Sequence, residues 1–258
     1  MDGFNLIFGL IMIASFIGLM ISAKKHHNSE SAKKLAFIFA GVVLVTGISI
    51  AVHNLFYDKS AKFAKIENGY VRSIAFVLGE DLAKRFPKAK VLVIVGPNYK
   101  QDHNQLTMID GLKDGMNSKM TKIDVHPLRV KIPKNYKLSD SMKAKDFNAL
   151  VKISRPSVIV SLVGLPDDFQ KLKIWAMYEE KPEKTPKLAI INGDISRLFS
   201  AIKTGIVAAV VRYKPDVFVD ENDFCPSDYK KAFEKRYLLI TPKNVEKIKK
   251  KYGKKIFK

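Results

Sequence analysis

The sequence predicts an α/β protein: an N-terminal two-helix transmembrane hairpin, then a three-layer α/β sandwich with a mostly parallel five- or six-stranded sheet. Three observations predict it. Two apolar runs without a charged residue, Phe4–Ser22 and Leu35–Phe56, lie back to back at the start. From Lys90 onward, short β-branched runs alternate with stretches of helical spacing. Most of those runs end in Gly, Pro, Asn or Asp, the residues that strand-to-helix turns need. Such alternation implies right-handed βαβ crossovers, and hence a parallel sheet with helices on both faces.

Each apolar run is long enough to cross a hydrocarbon core of about 30 Å at about 1.5 Å of rise per residue. The hairpin therefore takes residues 1–57, with helices over about 4–22 and 35–56. A cleaved signal peptide would start with bases and carry one shorter apolar stretch. Here Asp2 stands at the start and a second run follows at once. The loop between the runs carries Lys24, Lys25, Lys33 and Lys34, which places it in the cytoplasm and the rest of the chain outside. Gly9, Gly18, Gly41 and Gly47 are expected to let the two helices pack closely.

A polar connector over Tyr57–Lys65 and a membrane-proximal helix over Ile66–Phe86 make up residues 58–87. Ile66, Tyr70, Ile74, Leu78 and Leu82 give that helix one apolar face. The α/β domain follows over 88–258. Val91–Val95, ended by Gly96-Pro97, reads as a buried central strand. Asn104–Met120 reads as a helix and Lys122–Leu128 as a strand. Ala144–Ser154 and Asp167–Tyr178 read as helices around a strand at Ser157–Val163, and the second is expected to be capped by Asp167 and Asp168. Leu188–Ile191, Ile206–Arg212 and Tyr237–Ile240 read as strands, and Ile195–Lys203 and Asn244–Tyr252 as helices. Asp216–Asp223 reads as an irregular acidic stretch.

The chain has 258 residues and a formal net charge of +20, mostly from dispersed lysine with a concentration from Lys243 to Lys258. That surface suits solvent or anionic lipid headgroups. No zinc-finger spacing and no arginine-rich or aromatic-basic signature is present, which counts against nucleic acid. The single cysteine, Cys225, excludes an internal disulfide, so the fold must rest on its core.

In open α/β sheets ligands bind beyond the carboxyl ends of the strands. Those ends supply Pro97, Asn98 and Tyr99 after the first strand, Asp167 and Asp168 after the third, Asn192 and Asp194 after the fourth, and Arg212 after the fifth. These are the candidate ligand- or partner-binding residues. No catalytic residue, metal site or cofactor is expected. The chain has no GK[ST] or G-x-G-x-x-G phosphate cradle, no G-x-S-x-G elbow and no H-x-x-x-H or paired cysteines.

Three motifs are similar to the type I periplasmic binding protein-like superfamily. They are Val91–Pro97 leading into Leu106-Thr107-Met108-Ile109-Asp110-Gly111-Leu112, then Arg155-Pro156-Ser157-Val158-Ile159-Val160-Ser161, and Leu239-Ile240-Thr241-Pro242-Lys243-Asn244-Val245. The resemblance spans roughly Lys88–Tyr252 and implies a binding rather than a catalytic role. A complete member holds its ligand between two lobes, and this chain has length for one.

These readings combine into a non-enzymatic subunit anchored in a bacterial inner membrane, with its α/β domain on the extracytoplasmic side. The partners expected are the lipid bilayer and a protein of a multi-subunit envelope complex or a second copy of the chain. The alternative is a membrane-tethered solute receptor that pairs two single-lobe domains to form a cleft for a small molecule.

Overall fold

The computed structural model of the chain describes residues 3–25, 29–116, 122–130, 138–191, 193–218 and 224–257, with side chains for all but 57–60 and 139–140. The chain divides into two compact units, Met1–Lys65 and Ile66–Lys258.

The first unit contains helix α1 (Gly3–Lys25) and the start of α2 (Glu30–Arg85). Both are long and apolar enough to cross a membrane. Their large side chains are mostly exposed; Phe37 and Phe56 are 80% and 72% accessible. Between the helices Ser15, Ser22 and Thr46 are buried. Thr46 satisfies its hydroxyl by donating to the Val42 carbonyl at 2.7 Å. At one end Asn5 Nδ2 donates to Asn54 Oδ1 at 2.8 Å, and Phe4 stacks on His53 with centroids 4.1 Å apart. Of the four glycines expected to pack the pair, only Gly18 does so: a Cβ there would lie 2.7 Å from Phe39, whereas Gly9, Gly41 and Gly47 have nothing within 4 Å. The expected connector at Tyr57–Lys65 is helical, because α2 runs unbroken from Glu30 to Arg85. No Gly or Pro falls between Gly47 and Gly69, and Lys and Ala are strong helix formers.

In the second unit, strands β1 (Lys90–Val95), β2 (Lys122–Pro127), β3 (Val158–Ser161), β4 (Lys187–Ile191), β5 (Val207–Tyr213) and β6 (Tyr237–Ile240) form one sheet of order β2-β1-β3-β4-β5-β6. The first five are parallel; β6 pairs antiparallel with β5. Strand alternation divides the core into two. Val91, Val93, Val95, Val158, Val160 and Ala189 face one cluster with Tyr70, Ile74, Leu78 and Leu82 of α2. Leu112 and Met116 of α3 (His103–Met116) and Phe233 of α8 (Tyr229–Arg236) complete that layer. Leu92, Ile94, Ile159, Leu188 and Ile190 face the other. There they meet Phe147 of α5 (Ala144–Ser154), Ile174 of α6 (Lys173–Glu180), Ile202 of α7 (Phe199–Lys203), and Val245 and Ile248 of α9 (Val245–Tyr252). A short α4 (Leu138–Ser141) precedes α5.

Three sequence expectations change. The helix over Asp167–Tyr178 is a 3-10 turn at Phe169–Lys171 followed by α6. Asp168 caps a different helix: its Oδ1 accepts from the Ala144 amide of α5 at 2.8 Å. The helix over Ile195–Lys203 shrinks to α7, since Asp194 Oδ1 accepts from the Ser196 amide at 2.9 Å and holds a turn. Helix α8 follows the acidic stretch, begun by Asp228, whose side chain accepts from the Lys230 and Lys231 amides.

Candidate functional site

The carboxyl ends of the strands are not equivalent. Beyond β1, the Gly96 amide donates to Gln105 Oε1 at 2.7 Å, and Gln105 Nε2 donates to Asp102 Oδ2 at 2.7 Å. A side chain of α3 thus closes the space beside the first strand, and Leu138 of α4 lies against Gly96 as well. Pro97 and Asn98 form the turn before a 3-10 helix at Tyr99–Gln101, and Tyr99 packs partly buried against the first core cluster. None of these three lines a cleft at the other strand ends.

Beyond β3, β4 and β5 the surface opens. A cleft of about 480 Å³ lies between the loop after β3 and the loop after β4, lined by Asp167, Phe169, Asp194, Ser196 and Arg197 among others. A second, of about 380 Å³, is lined by Gly193, Asp194, Val211, Arg212 and Tyr213. The two share Gly193 and Asp194. Backbone geometry shapes the wall between them. Gly164 has φ +78°, a conformation that favours glycine, and Ser161 Oγ donates to its carbonyl. A Cβ on Gly193 would stand 3.1 Å from Gly164 Cα, so both loops need glycine to approach this closely.

Of the residues expected from sequence, Asp167, Asp194 and Arg212 therefore come together, and Asp168 is used to cap α5. Asn192 lies outside the described residues. Sequence reasoning missed Phe169, Ser196 and Arg197. Arg197 lay in a stretch read as helix interior; the cue was Asn-Gly-Asp before it, which favours a turn running on past the strand. The clefts carry two carboxylates, Asp167 and Asp194, and two guanidinium groups, Arg197 and Arg212. Tyr213, 46% exposed at the mouth, accepts from the buried Tyr237 hydroxyl at 3.2 Å. Burial first, and then this hydrogen bond, raises the Tyr237 pKa, so that phenol stays protonated as a fixed support for the Tyr213 ring. Such a set can bind a small polar molecule through opposed donors and acceptors beside an aromatic ring.

No family model matches the chain, and no curated protein matches it. Among solved structures it is similar to AraP, an arabinose binding protein from Geobacillus stearothermophilus, at 14% identity and TM-score 0.44 over 69% of this chain and 62% of that one. It is likewise similar to a sugar-binding protein of a sugar ABC transporter from Bacillus halodurans, at 12% identity and TM-score 0.44 over 69% and 64%. A periplasmic solute binding protein of an ABC transporter from Actinobacillus succinogenes, solved with bound D-allose, matches at 10% identity and TM-score 0.43 over 69% and 62%. The match spans less than two-thirds of the length of each of these three chains. By their own descriptions these three are sugar- or solute-binding proteins. The α/β architecture itself rests on the strand order and register.

Proposed function

We propose that this chain is a non-catalytic binding subunit anchored in a bacterial inner membrane, with its α/β unit on the extracytoplasmic side. The unit takes a small polar solute at the carboxyl ends of β3, β4 and β5. The observation that carries this reading is the pair of clefts meeting at Gly193 and Asp194, where charges of both signs converge beside Tyr213. Exposed apolar surface on α1 and α2 supports the anchor, since water does not sustain apolar faces of that size.

The test is thermal stabilisation of the detergent-solubilised chain against a panel of sugars, polyols and amino acids. A true ligand at about 100 times its Kd stabilises by about 2.7 kcal/mol. Asp194→Asn is expected to remove that response while the chain stays folded by circular dichroism, because an Asn carboxamide oxygen still accepts from Ser196. A flat response across the panel would sink the solute reading. Orientation is checked with Cys225→Ser plus Lys254→Cys: an impermeant thiol reagent added to whole cells should label the new cysteine.

One observation favours a second reading. Asp167, Asp194 and Arg197, which line the first cleft, are exposed. A partner protein or a second copy would then supply the opposite wall. Co-purification of one protein at fixed stoichiometry, lost in Asp194→Lys, is the outcome that reading expects.

A further inference from the structure

At the amino ends of β3 and β4, opposite the strand-end clefts, α5 and α6 border a groove of about 670 Å³. Pro156 and Pro186, just before those strands, close its end, and Val151, Ile174 and Met177 give it an apolar lining. Five cations line it: Lys145, Lys152, Arg155, Lys173 and Lys184. Among the described residues no carboxylate does, although Asp146, Glu179, Glu180 and Glu183 belong to the same two helices and the turn after them. Helical spacing explains the sorting. Lys145, Asn148, Ala149 and Lys152 fall at i, i+3, i+4 and i+7 on α5, so one face carries bases and small residues while Asp146 lies off it.

Several cations elsewhere are paired. Arg72, Lys203, Lys230 and Lys255 each hold a carboxylate within 3 Å. The ion pairs formed among the described residues include none of the five groove cations. Asn148 is committed internally: it accepts from the Lys173 amide at 2.9 Å and donates to the Lys171 carbonyl at 3.2 Å, fixing α5 against the start of α6.

We propose that the groove docks an acidic amphipathic segment of a partner protein, with apolar side chains in the groove and carboxylates along its cationic rim. Charge complementarity selects this occupant. Five bases on several sides of one apolar groove suit a chain that presents carboxylates along its length, whereas a small anion with one charge would leave most of them unanswered. The site is separate from the strand-end clefts and does not depend on what they bind.

The test uses the full chain in detergent micelles and a labelled helical peptide with leucines at i, i+4 and i+7 flanked by glutamates, read by fluorescence anisotropy. The expected result is binding that weakens with added salt, and none by the same peptide with every Glu changed to Lys. Equal binding of the two peptides by the unaltered protein would overturn the proposal, whatever any variant does. Lys152→Glu with Lys173→Glu is expected to weaken binding at least about tenfold. Met177→Glu should weaken it too, and Lys250→Glu on α9 should not. An equal loss at Lys250, or none at Met177, would remove the groove as the site. Displacement of the peptide by phosphatidylglycerol vesicles but not by phosphatidylcholine vesicles would mark the surface as a lipid contact and also overturn it.

Discussion

Leu92, Ile94 and Val160 in the sheet are sealed from solvent, while Phe37 and Phe56 in the N-terminal helices stand 80% and 72% exposed. Both regions are rich in apolar side chains but dispose them differently. The α/β unit turns its apolar side chains toward two internal clusters on either side of one sheet. The N-terminal unit turns them outward all round, which suits hydrocarbon and fails in water. The largest effect expected from this contrast is on solubility. The full chain should require amphiphile, and a chain beginning at Ile66 should stay dispersed in buffer, as sedimentation after detergent removal will show. Detergent-free dispersal of the full chain would erase the distinction between the units.

Polar groups sharpen the comparison. In the N-terminal unit two neutral amides, Asn5 and Asn54, pair with each other. In the α/β unit a full charge is buried: Arg236 is 0% exposed, its guanidinium lies 3.4 Å from the centroid of the Tyr70 ring, and Nη1 donates to Glu67 at 2.5 Å. Glu67→Gln keeps an acceptor oxygen but takes a carboxylate away from this buried guanidinium. It is expected to cost about 1–3 kcal/mol, measured by denaturant unfolding of the α/β unit. Asn5→Leu should leave that transition where it was.

Glycine gives the next contrast. A Cβ on Gly115 would lie 2.1 Å from the Phe76 carbonyl oxygen, and one on Gly79 would lie 2.6 Å from the Leu112 carbonyl oxygen. Here α2 and α3 touch backbone to backbone, so neither side can yield cheaply. Gly115→Ala should cost about 1–3 kcal/mol by overpacking. Gly41→Ala, with nothing within 4 Å, should leave the hairpin's resistance to unfolding in detergent unchanged. The small-residue contact that the sequence suggested for the membrane helices is thus tightest in the α/β unit, at Gly111 and Gly115.

Legibility followed burial. Strands buried on both faces appear in the sequence as unbroken apolar runs, which is why β1 and β4 fall where the runs predict. Helix α5 was legible because its one apolar face repeats at helical spacing. Helix α8 was not: Tyr-Lys-Lys-Ala-Phe-Glu-Lys-Arg offers few apolar positions, and its start is fixed by the Asp228 cap. At the strand ends, position in the sheet made Asp194 and Arg212 candidates, and both line the clefts. It could not foresee that Asp168 would turn to α5, or that Gln105 would fill the space beyond β1, because both depend on contacts across the fold.

The smallest effect concerns how α8 is held. Lys230 Nζ donates to Glu80 Oε1 of α2 at 2.9 Å, and Lys84 lies 3.0 Å from the same oxygen. The Lys230 hydrogen bond is the main reason the Glu80 carboxyl stays below its ordinary pKa; burial opposes it, and Lys84 adds to it. A carboxyl depressed in the folded state contributes stability that is fully present above its unfolded value, about 4.3, and is lost as pH falls through the folded value. The α/β unit should therefore lose a little of its melting midpoint below about pH 4, and Glu80→Gln should flatten that part of the profile. The two apolar runs of the N-terminal unit contain no Asp or Glu, so the same acid step has nothing to titrate within them. An unchanged acid limb in Glu80→Gln would show that the tie between α2 and α8 rests instead on the aromatic contact of Phe76 with Tyr229, whose centroids are 5.0 Å apart.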